Sequence, residues 1–347
     1  MPSPHYHTRY CVYVLCRSLL LCGYCLHVLQ LLEVLATGRS LLMIASKKKD
    51  LASLCKMSLL LSSLSASRHV SRPLLVRSLA SAAPGSEVRQ NRFKAAIAKG
   101  ERQVGLWTGL RSTLVAEMLS TVSGFDWFVI DMEHSPNELN DVLLQLQASQ
   151  HGDAEPVVRV PWNEPVMVKR VLDIGAQSII FPWVNNADEA RAAVQAVRYP
   201  PHGVRGVMSL ARMNNYGAAN PHYYQEAADQ TCVIVQVETA EAVSNIAEIA
   251  AVDGVDALFI GPSDLSASMG HIGNPSHPDV RAAIEGAFTA INKTGKAGGF
   301  LSANHDDCRW VLEMGCTFCA VGSDVAMLTN TSKAICADFK QFIAGLD

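Results

Sequence analysis

From Arg102 onward the chain alternates short, near-continuous apolar runs with amphipathic stretches, and no other feature limits its fold so tightly. The apolar runs fall at 104–107, 127–131, 156–160, 178–181, 232–238, 257–260, 297–301 and 318–321. Helical periodicity occupies 112–121, 138–149, 165–172, 187–197, 240–250, 279–292 and 306–314, and 325–344 forms the last helix. Strands that are apolar on both faces belong to a parallel sheet covered by helices. A strand–helix unit repeated through the body predicts an α/β fold, a (β/α)8 TIM barrel. A doubly wound open sheet is the competing architecture. It is disfavoured because no Gly-rich dinucleotide fingerprint follows the first strand.

The chain has 347 residues, against about 250 for a single barrel domain. Charge marks where the excess lies. Residues 1–86 hold ten Lys/Arg and two acids, a balance of +8, whereas the remaining 261 residues hold 19 basic and 30 acidic side chains, a balance of −11. An acidic body excludes nucleic acid as the expected main partner. Residues 57–86 contain no acid, nine serines and the spaced Arg68, Arg72 and Arg77. That composition is expected of a mitochondrial transit peptide, with a cytoplasmic protein as the alternative. Residues 1–56 are Cys-, Leu- and Tyr-rich, and the expectation is that translation starts at Met57 and that this extension is a gene-model artefact. Its apolar stretch 18–32 is shorter than the roughly 20 residues of a membrane span, so no membrane association is expected of the mature domain, 87–347. The five body cysteines lack disulfide-framework spacing, and Cys316-Thr-Phe-Cys319 reads as buried, reduced cysteines on a strand rather than a metal or redox motif.

A barrel carries its chemistry at the C-terminal ends of the strands. Strand alternation points Gln236 and Glu238 to one face, with Val235 and Val237 on the other. The next strand ends in Gly261-Pro262-Ser263-Asp264. Glu238 and Asp264 can therefore converge on an oxygen-rich site for a hard divalent ion, Mg²⁺ or Mn²⁺. Each residue taken alone is an ordinary helix cap or a solvated acid; the pair on consecutive rims favours the metal. Arg159 points inward from the third strand, where a guanidinium needs an anion, either Asp131 or Glu133 within the chain or the carboxylate of a substrate. Asp131 and His134 stand three apart at a turn, close enough for the carboxylate to accept the imidazole Nδ1–H and leave Nε2 as an acid/base. The body lysines all fall on helices or helix-to-strand turns, which removes the inward lysine that an imine-forming aldolase needs. The segment 199–224, with Arg205 and Arg212, is long enough for a lid or substrate loop.

Trp107, Asp131-x-Glu133-His134, Val158-Arg159, Leu172-Asp173-x-Gly175, Tyr199-Pro-Pro-x-Gly203-x-Arg205-Gly206, Gln236-x-Glu238-Thr and Gly261-Pro-x-Asp264-Leu-Ser occur in this order. Together they resemble the HpcH/HpaI family of class II pyruvate aldolases, over a stretch from about Val104 to about Leu328. The resemblance implies a metal-dependent barrel assembled as a homo-oligomer, a hexamer, with Mg²⁺, Mn²⁺ or Co²⁺ held by Glu238 and Asp264. It implies His134 with Asp131 as the acid/base pair, and Arg159 as the residue that holds the substrate carboxylate and stabilises the enolate. Trp107, Gln236, Gly261, Pro262 and Ser263 become substrate-binding residues, Glu133 a supporting carboxylate, and Asp173 a residue lent to the neighbouring subunit's site. The implied reaction is reversible retro-aldol cleavage of a 4-hydroxy-2-oxo acid, such as 4-hydroxy-2-oxoheptanedioate or a 2-keto-3-deoxy sugar acid, to pyruvate and an aldehyde. Oxaloacetate decarboxylation, or a macrophomate synthase-like use of the same pyruvate enolate, is the alternative, and a non-enzymatic barrel is a third. One departure is visible: the loop 207–216 after Arg205-Gly206 is shorter or altered relative to bacterial members, which leaves the aldehyde open.

Overall fold

The computed structural model describes residues 88–346 apart from Pro221. The expected leader segments, 1–56 and 57–86, lie outside the described residues. Eight parallel strands close on themselves in chain order. They are β1 (Gln103–Thr108), β2 (Trp127–Asp131), β3 (Glu155–Arg159), β4 (Ser178–Phe181), β5 (Cys232–Val237), β6 (Ala257–Ile260), β7 (Ala297–Leu301) and β8 (Phe318–Ser323). A first helix, α1 (Arg92–Ala98), precedes them. The helices α2 (Thr113–Thr121), α3 (Leu139–Ala148), α4 (Pro165–Asp173), α5 (Ala187–Val197) and α6 (His222–Gln230) alternate with the first strands. The second half carries α7 (Ala240–Ser244), α8 (Ile246–Ala250), α9 (Pro262–Ser268), α10 (Pro278–Thr294), α11 (His305–Glu313) and α12 (Asp324–Ala344).

Period-two alternation divides the apolar side chains into two packed layers. Val129, Val157, Ile180, Ile234, Phe259 and Phe318 fill the barrel interior. Phe128, Ile130, Val158, Ile179, Val235 and Val237 face the helices. Helix starts are fixed locally: the side chains of Ser112, Asn186, Thr239 and Ser323 each accept a backbone N–H in the first turn that follows, satisfying a donor that the helix itself leaves free.

The barrel and its strand order agree with the sequence expectation. The helix expected over 240–250 is broken at Asn245, whose side chain leaves the helix to donate to Asn185 O at 2.8 Å. Three helices were not anticipated. α1 precedes the first strand and so lies outside the strand–helix repeat. α6 follows an irregular segment, and α9 is seven residues long behind Gly261-Pro262. Cys319 lies on β8, whereas Cys316 sits in the turn before it; both are buried and free.

Candidate active site

The C-terminal ends of β1, β2, β3, β5 and β6 deliver their polar side chains to one cavity of about 540 Å³, lined by Trp107, Asp131, His134, Arg159, Gln236, Gly261, Pro262, Ser263 and Asp264. Glu238, the residue after β5, is 1% exposed and lies directly behind Gly261. A Cβ on that glycine would sit 2.7 Å from Glu238 Oε2 and 3.4 Å from Gln236 Nε2. Gly261 thus leaves room for the carboxylate rather than supplying a turn. Glu238 accepts the Trp183 N–H at 2.6 Å and the Gln236 Nε2–H at 2.5 Å. Trp183 holds φ +59°, a left-handed conformation costly for a side chain of this size, and its N–H is aimed at Glu238.

Burial pushes the Glu238 carboxyl up to about 7; Trp183 and Arg159 oppose the rise, while the Glu133 and Asp264 carboxylates add to it. Burial and the neighbouring Asp131 and Asp264 likewise raise Glu133, against the pull of Arg159 and His134. Asp264 occupies the first turn of α9, after Gly261 as N-cap and Pro262, where the free N–H groups favour a negative charge.

On the opposite wall, Arg159 lies in a carboxylate fork. Its Nε and Nη2 donate to Asp131 Oδ1 and Oδ2 at 2.8 and 2.6 Å, and Nη1 lies 2.8 Å from Glu133 Oε2. The guanidinium carbon stands 4.9 Å over the Trp107 ring, and Trp107 Nε1–H reaches Asp131 Oδ2 at 3.2 Å. Although burial raises the Asp131 carboxyl, the Arg159 pair and the N–H groups of Glu133 and Trp107 outweigh it and hold the group below its usual range.

The expected Asp131–His134 side-chain bond is not formed. Both Asp131 oxygens serve Arg159, and Asp131 meets His134 only through the backbone N–H, at 3.4 Å. The imidazole instead points out, 62% exposed, with Nε2 3.7 Å from Glu133 Oε1. Its loop is fixed from below, where Ser135 Oγ and Asn137 Nδ2 both donate to Asp131 O and Asn137 accepts from Gln145. A bidentate Arg–carboxylate pair in a dry wall outcompetes a single imidazole bond at a wet turn.

The lid expected over 199–224 is not seen over the catalytic cavity of its own chain, which none of the segment's described residues lines. Arg205 is buried, stacked 4.6 Å over the Tyr199 ring, and its Nη2 pairs with Asp173 at 3.2 Å. Arg212 donates to Ile174 O and Leu146 O, the carbonyl ends of α4 and α3. Both arginines anchor the segment to the barrel wall, and neither lines the catalytic cavity of its own chain. Asp173 ends α4 and does not reach the catalytic cavity of its own chain. Among the described residues, no lysine lines that cavity.

The sequence reading missed the outer half of the cavity. Ser302 and Asn304 follow β7, Ser323 ends β8, and Arg281, Asp307 and Trp310 reach in from α10 and α11. Arg281 Nη1 donates to Asp307 at 2.7 Å and the guanidinium stacks 4.0 Å over Trp310. The strand-end rule covers Ser302 and Ser323; the helix residues carry no such signal.

Four carboxylates, those of Asp131, Glu133, Glu238 and Asp264, thus surround a cavity whose inner wall has Arg159 as its cation. Gln236 Oε1 is buried there without a partner. This oxygen-rich, over-negative donor set fits a hard divalent cation.

A family model described as HpcH/HpaI aldolase/citrate lyase matches residues 103–331. The chain is 51% identical over 251 residues to 4-hydroxy-2-oxo-heptane-1,7-dioate aldolase of Escherichia coli, covering 72% of this chain and 95% of that protein. Among solved structures, an HpcH/HpaI aldolase/citrate lyase family protein from Burkholderia cenocepacia is 40% identical with a TM-score of 0.70, covering 72% of this chain and all of the other. Macrophomate synthase is 26% identical with a TM-score of 0.63, covering 75% of this chain and 93% of its own.

Proposed function

The chain belongs to the HpcH/HpaI aldolase/citrate lyase family, and from that premise we propose that it cleaves a 4-hydroxy-2-oxo acid reversibly to pyruvate and an aldehyde, with a divalent cation held by Glu238 and Asp264. The observation that carries this reading is the buried Glu238, whose carboxyl feels the Glu133 and Asp264 carboxylates more than it feels Arg159, which is already engaged by Asp131 and Glu133. So much negative charge around one cavity needs a cation to offset it. When bound, such an ion polarises the 2-oxo group and stabilises negative charge on the oxygen.

The chain's own residues do the rest. Arg159, held rigid by Asp131 and Glu133, presents fixed positive charge to the substrate carboxylate and to the enolate that forms on C–C cleavage. Its alignment precedes the reaction, so little reorganisation is required as charge develops. His134, at the wet mouth, takes the proton from the C4 hydroxyl in cleavage, through a water, and returns it in aldol addition. Gln236 donates to Glu238 and keeps that carboxylate turned toward the cavity. The backbone of Gly261, Pro262 and Ser263 borders the place where the pyruvyl half binds.

We also propose a homo-oligomer. The 21-residue helix α12 exposes Val325, Leu328, Ile335, Phe339, Phe342 and Ile343, each at least 44% accessible, an apolar face that a soluble chain covers with another surface. A hexamer in which Asp173 serves the neighbouring site follows the family resemblance, and light scattering coupled to gel filtration tests it. Mitochondrial import through residues 57–86 is tested by a fusion of that segment to a reporter.

The decisive assay supplies purified protein and Mg²⁺ or Mn²⁺ with pyruvate and a panel of short aldehydes, and separately with oxaloacetate. Aldol product from pyruvate, abolished by chelation, is the expected result. Decarboxylation of oxaloacetate with no aldol product, or activity that survives exhaustive chelation, overturns the reading. Borohydride trapping of an enzyme–pyruvate adduct overturns it independently.

A further inference from the structure

The outer half of the catalytic cavity holds a guanidinium that the proposed reaction does not use. Arg281, near the start of α10, lines the cavity together with Ser302, Asn304, Asp307 and Trp310. Asp307 Oδ1 accepts from its Nη1 at 2.7 Å, and the guanidinium carbon stands 4.0 Å from the Trp310 ring centroid. Among the described residues, no hydrogen bond uses its Nε or Nη2. We propose that Arg281 is a specificity-determining residue whose open Nε–Nη2 edge takes a carboxylate carried by the aldehyde half of the substrate. This assignment rests on the retro-aldol reading, in which the pyruvyl half binds at the inner wall and the aldehyde half lies outward.

The same edge is already at work elsewhere in this chain. Arg159 uses Nε and Nη2 to hold both oxygens of Asp131, at 2.8 and 2.6 Å. Two parallel N–H donors on a planar fork match the two oxygens of a carboxylate, and Arg281 keeps that fork open. Its stack on Trp310 shields one face of the guanidinium from water, which strengthens the interactions left to it. Trp310 and Asp307 together fix the side chain before a ligand arrives, so less rotamer freedom is lost on binding. A phosphate dianion suits the place less well, because Asp307 already offsets part of the single positive charge.

The polar groups beside Arg281 also have donors to offer. Ser302 Oγ accepts the Asn304 N–H at 3.1 Å, and Asn304 Oδ1 accepts the Asp306 N–H at 2.9 Å. Acceptor capacity therefore serves the loop itself, while the Ser302 hydroxyl hydrogen and the Asn304 Nδ2–H groups are left for an anion. Ile284, one turn beyond Arg281, and Leu301, at the end of β7, line the same cavity. They give it apolar surface for the methylenes of such an aldehyde. The competing role for Arg281 is a bridge between α10 and α11. That role needs only Nη1 and Asp307, and its loss would affect charged and neutral aldehydes alike.

Aldol addition of pyruvate in excess Mg²⁺ is measured for the full-length wild type, Arg281→Gln and Arg281→Lys. The aldehydes are 4-oxobutanoate, its neutral methyl ester and glyceraldehyde 3-phosphate, and circular dichroism checks the fold of each protein. The wild type is expected to favour the acid over the ester by roughly tenfold or more in kcat/KM, chiefly through KM, the worth of one charge-assisted hydrogen bond. Arg281→Gln should abolish that ratio, and Arg281→Lys, which keeps the charge without the fork, should retain only part of it. Should Arg281→Gln not fold, the wild-type ratio and its fall in Arg281→Lys decide. A wild type that takes acid and ester equally, or a loss in the variants shared equally by both, overturns the subsite and leaves the aldolase reading standing. An Arg281-dependent preference for the phosphate over the acid overturns the carboxylate assignment. No aldol product from any of the three aldehydes in the wild type overturns the aldolase reading and this subsite with it.

Discussion

The two mouths of this barrel are built from opposite materials. At the N-terminal mouth, α1 lays Phe93 between Trp127 and Phe318, with ring centroids 5.5 and 5.4 Å away, and Trp127 meets Phe318 at 5.5 Å. Gly105 has no room for a Cβ there, because Trp127 ring atoms lie 2.4 Å from where one would stand. Arg89 and Arg92 close this end over Glu155 at 2.6 Å each. The C-terminal mouth gathers the Asp131, Glu133, Glu238 and Asp264 carboxylates around Arg159, with the Arg281–Asp307 pair on the outer side of the cavity. The first end is optimised for dry packing, whereas the second accumulates like charge that lowers stability until a cation and substrate arrive. Stability and chemistry are segregated to the two ends, so each can be perturbed while the other is watched.

Glu238→Gln or Asp264→Asn gives the largest expected effect: activity and Mg²⁺ binding are lost with the barrel still folded, read by calorimetry and circular dichroism. A variant that stays active with Mg²⁺ breaks the assignment of the charged mouth. His134→Ala should retain Mg²⁺ yet slow aldol cleavage by roughly 10²–10⁴-fold, the worth of a positioned acid/base. Because Asp131 holds Arg159 and not the imidazole, Asp131→Asn should impair carboxylate recognition and raise KM along with any loss in kcat. An effect on kcat alone restores the Asp131–His134 pairing.

At the other end, Phe93→Ala should cost about 3–5 kcal/mol of stability, the penalty for truncating a buried aromatic, with kcat/KM unchanged at temperatures where the protein stays folded. Denaturant unfolding and kinetics on one preparation check both halves.

The smallest effect sharpens the contrast through pH. Burial, with Glu133 and Asp264, lifts the Glu238 carboxyl from 4.5 to about 7. Between those values the folded metal-free protein binds more protons than the unfolded chain, so its stability falls as pH rises through that window and stays lower above it. A cation must displace that proton below about pH 7. Mg²⁺ affinity is expected to rise roughly tenfold per pH unit up to that point and then level off. Thermal shifts with and without Mg²⁺ at pH 6, 7 and 8 measure this, and Glu238→Gln should reduce the pH dependence, leaving the share that the raised Glu133 carboxyl contributes, while stabilising the metal-free protein at pH 8.

The barrel was legible because the determinants of its elements are local. Apolar runs such as 178–181 and 257–260 coincide with β4 and β6 residue for residue. The position of Glu238 and Asp264 at successive strand ends was legible for the same reason, since period-two alternation and the strand-end rule place them. What a side chain then grips is settled by competition among groups distant in sequence. Arg159, 28 residues from Asp131, takes the carboxylate that local spacing offered to His134. Arg205 turns to Asp173 and to the Tyr199 and Tyr223 rings, so a segment read as a lid packs against the wall of its own barrel. Arg281 and Trp310, on helices with no strand-end mark, reach the cavity where the Arg281 guanidinium bridges α10 to Asp307 and Trp310 of α11. Sequence alone therefore determined the periodicities and the rim positions, each of which depends on a few neighbouring residues. The ion pairs, the outer half of the cavity and the elevated Glu238 carboxyl were decided by closure of the barrel, because desolvation and long-range pairing exist only once the chain is folded.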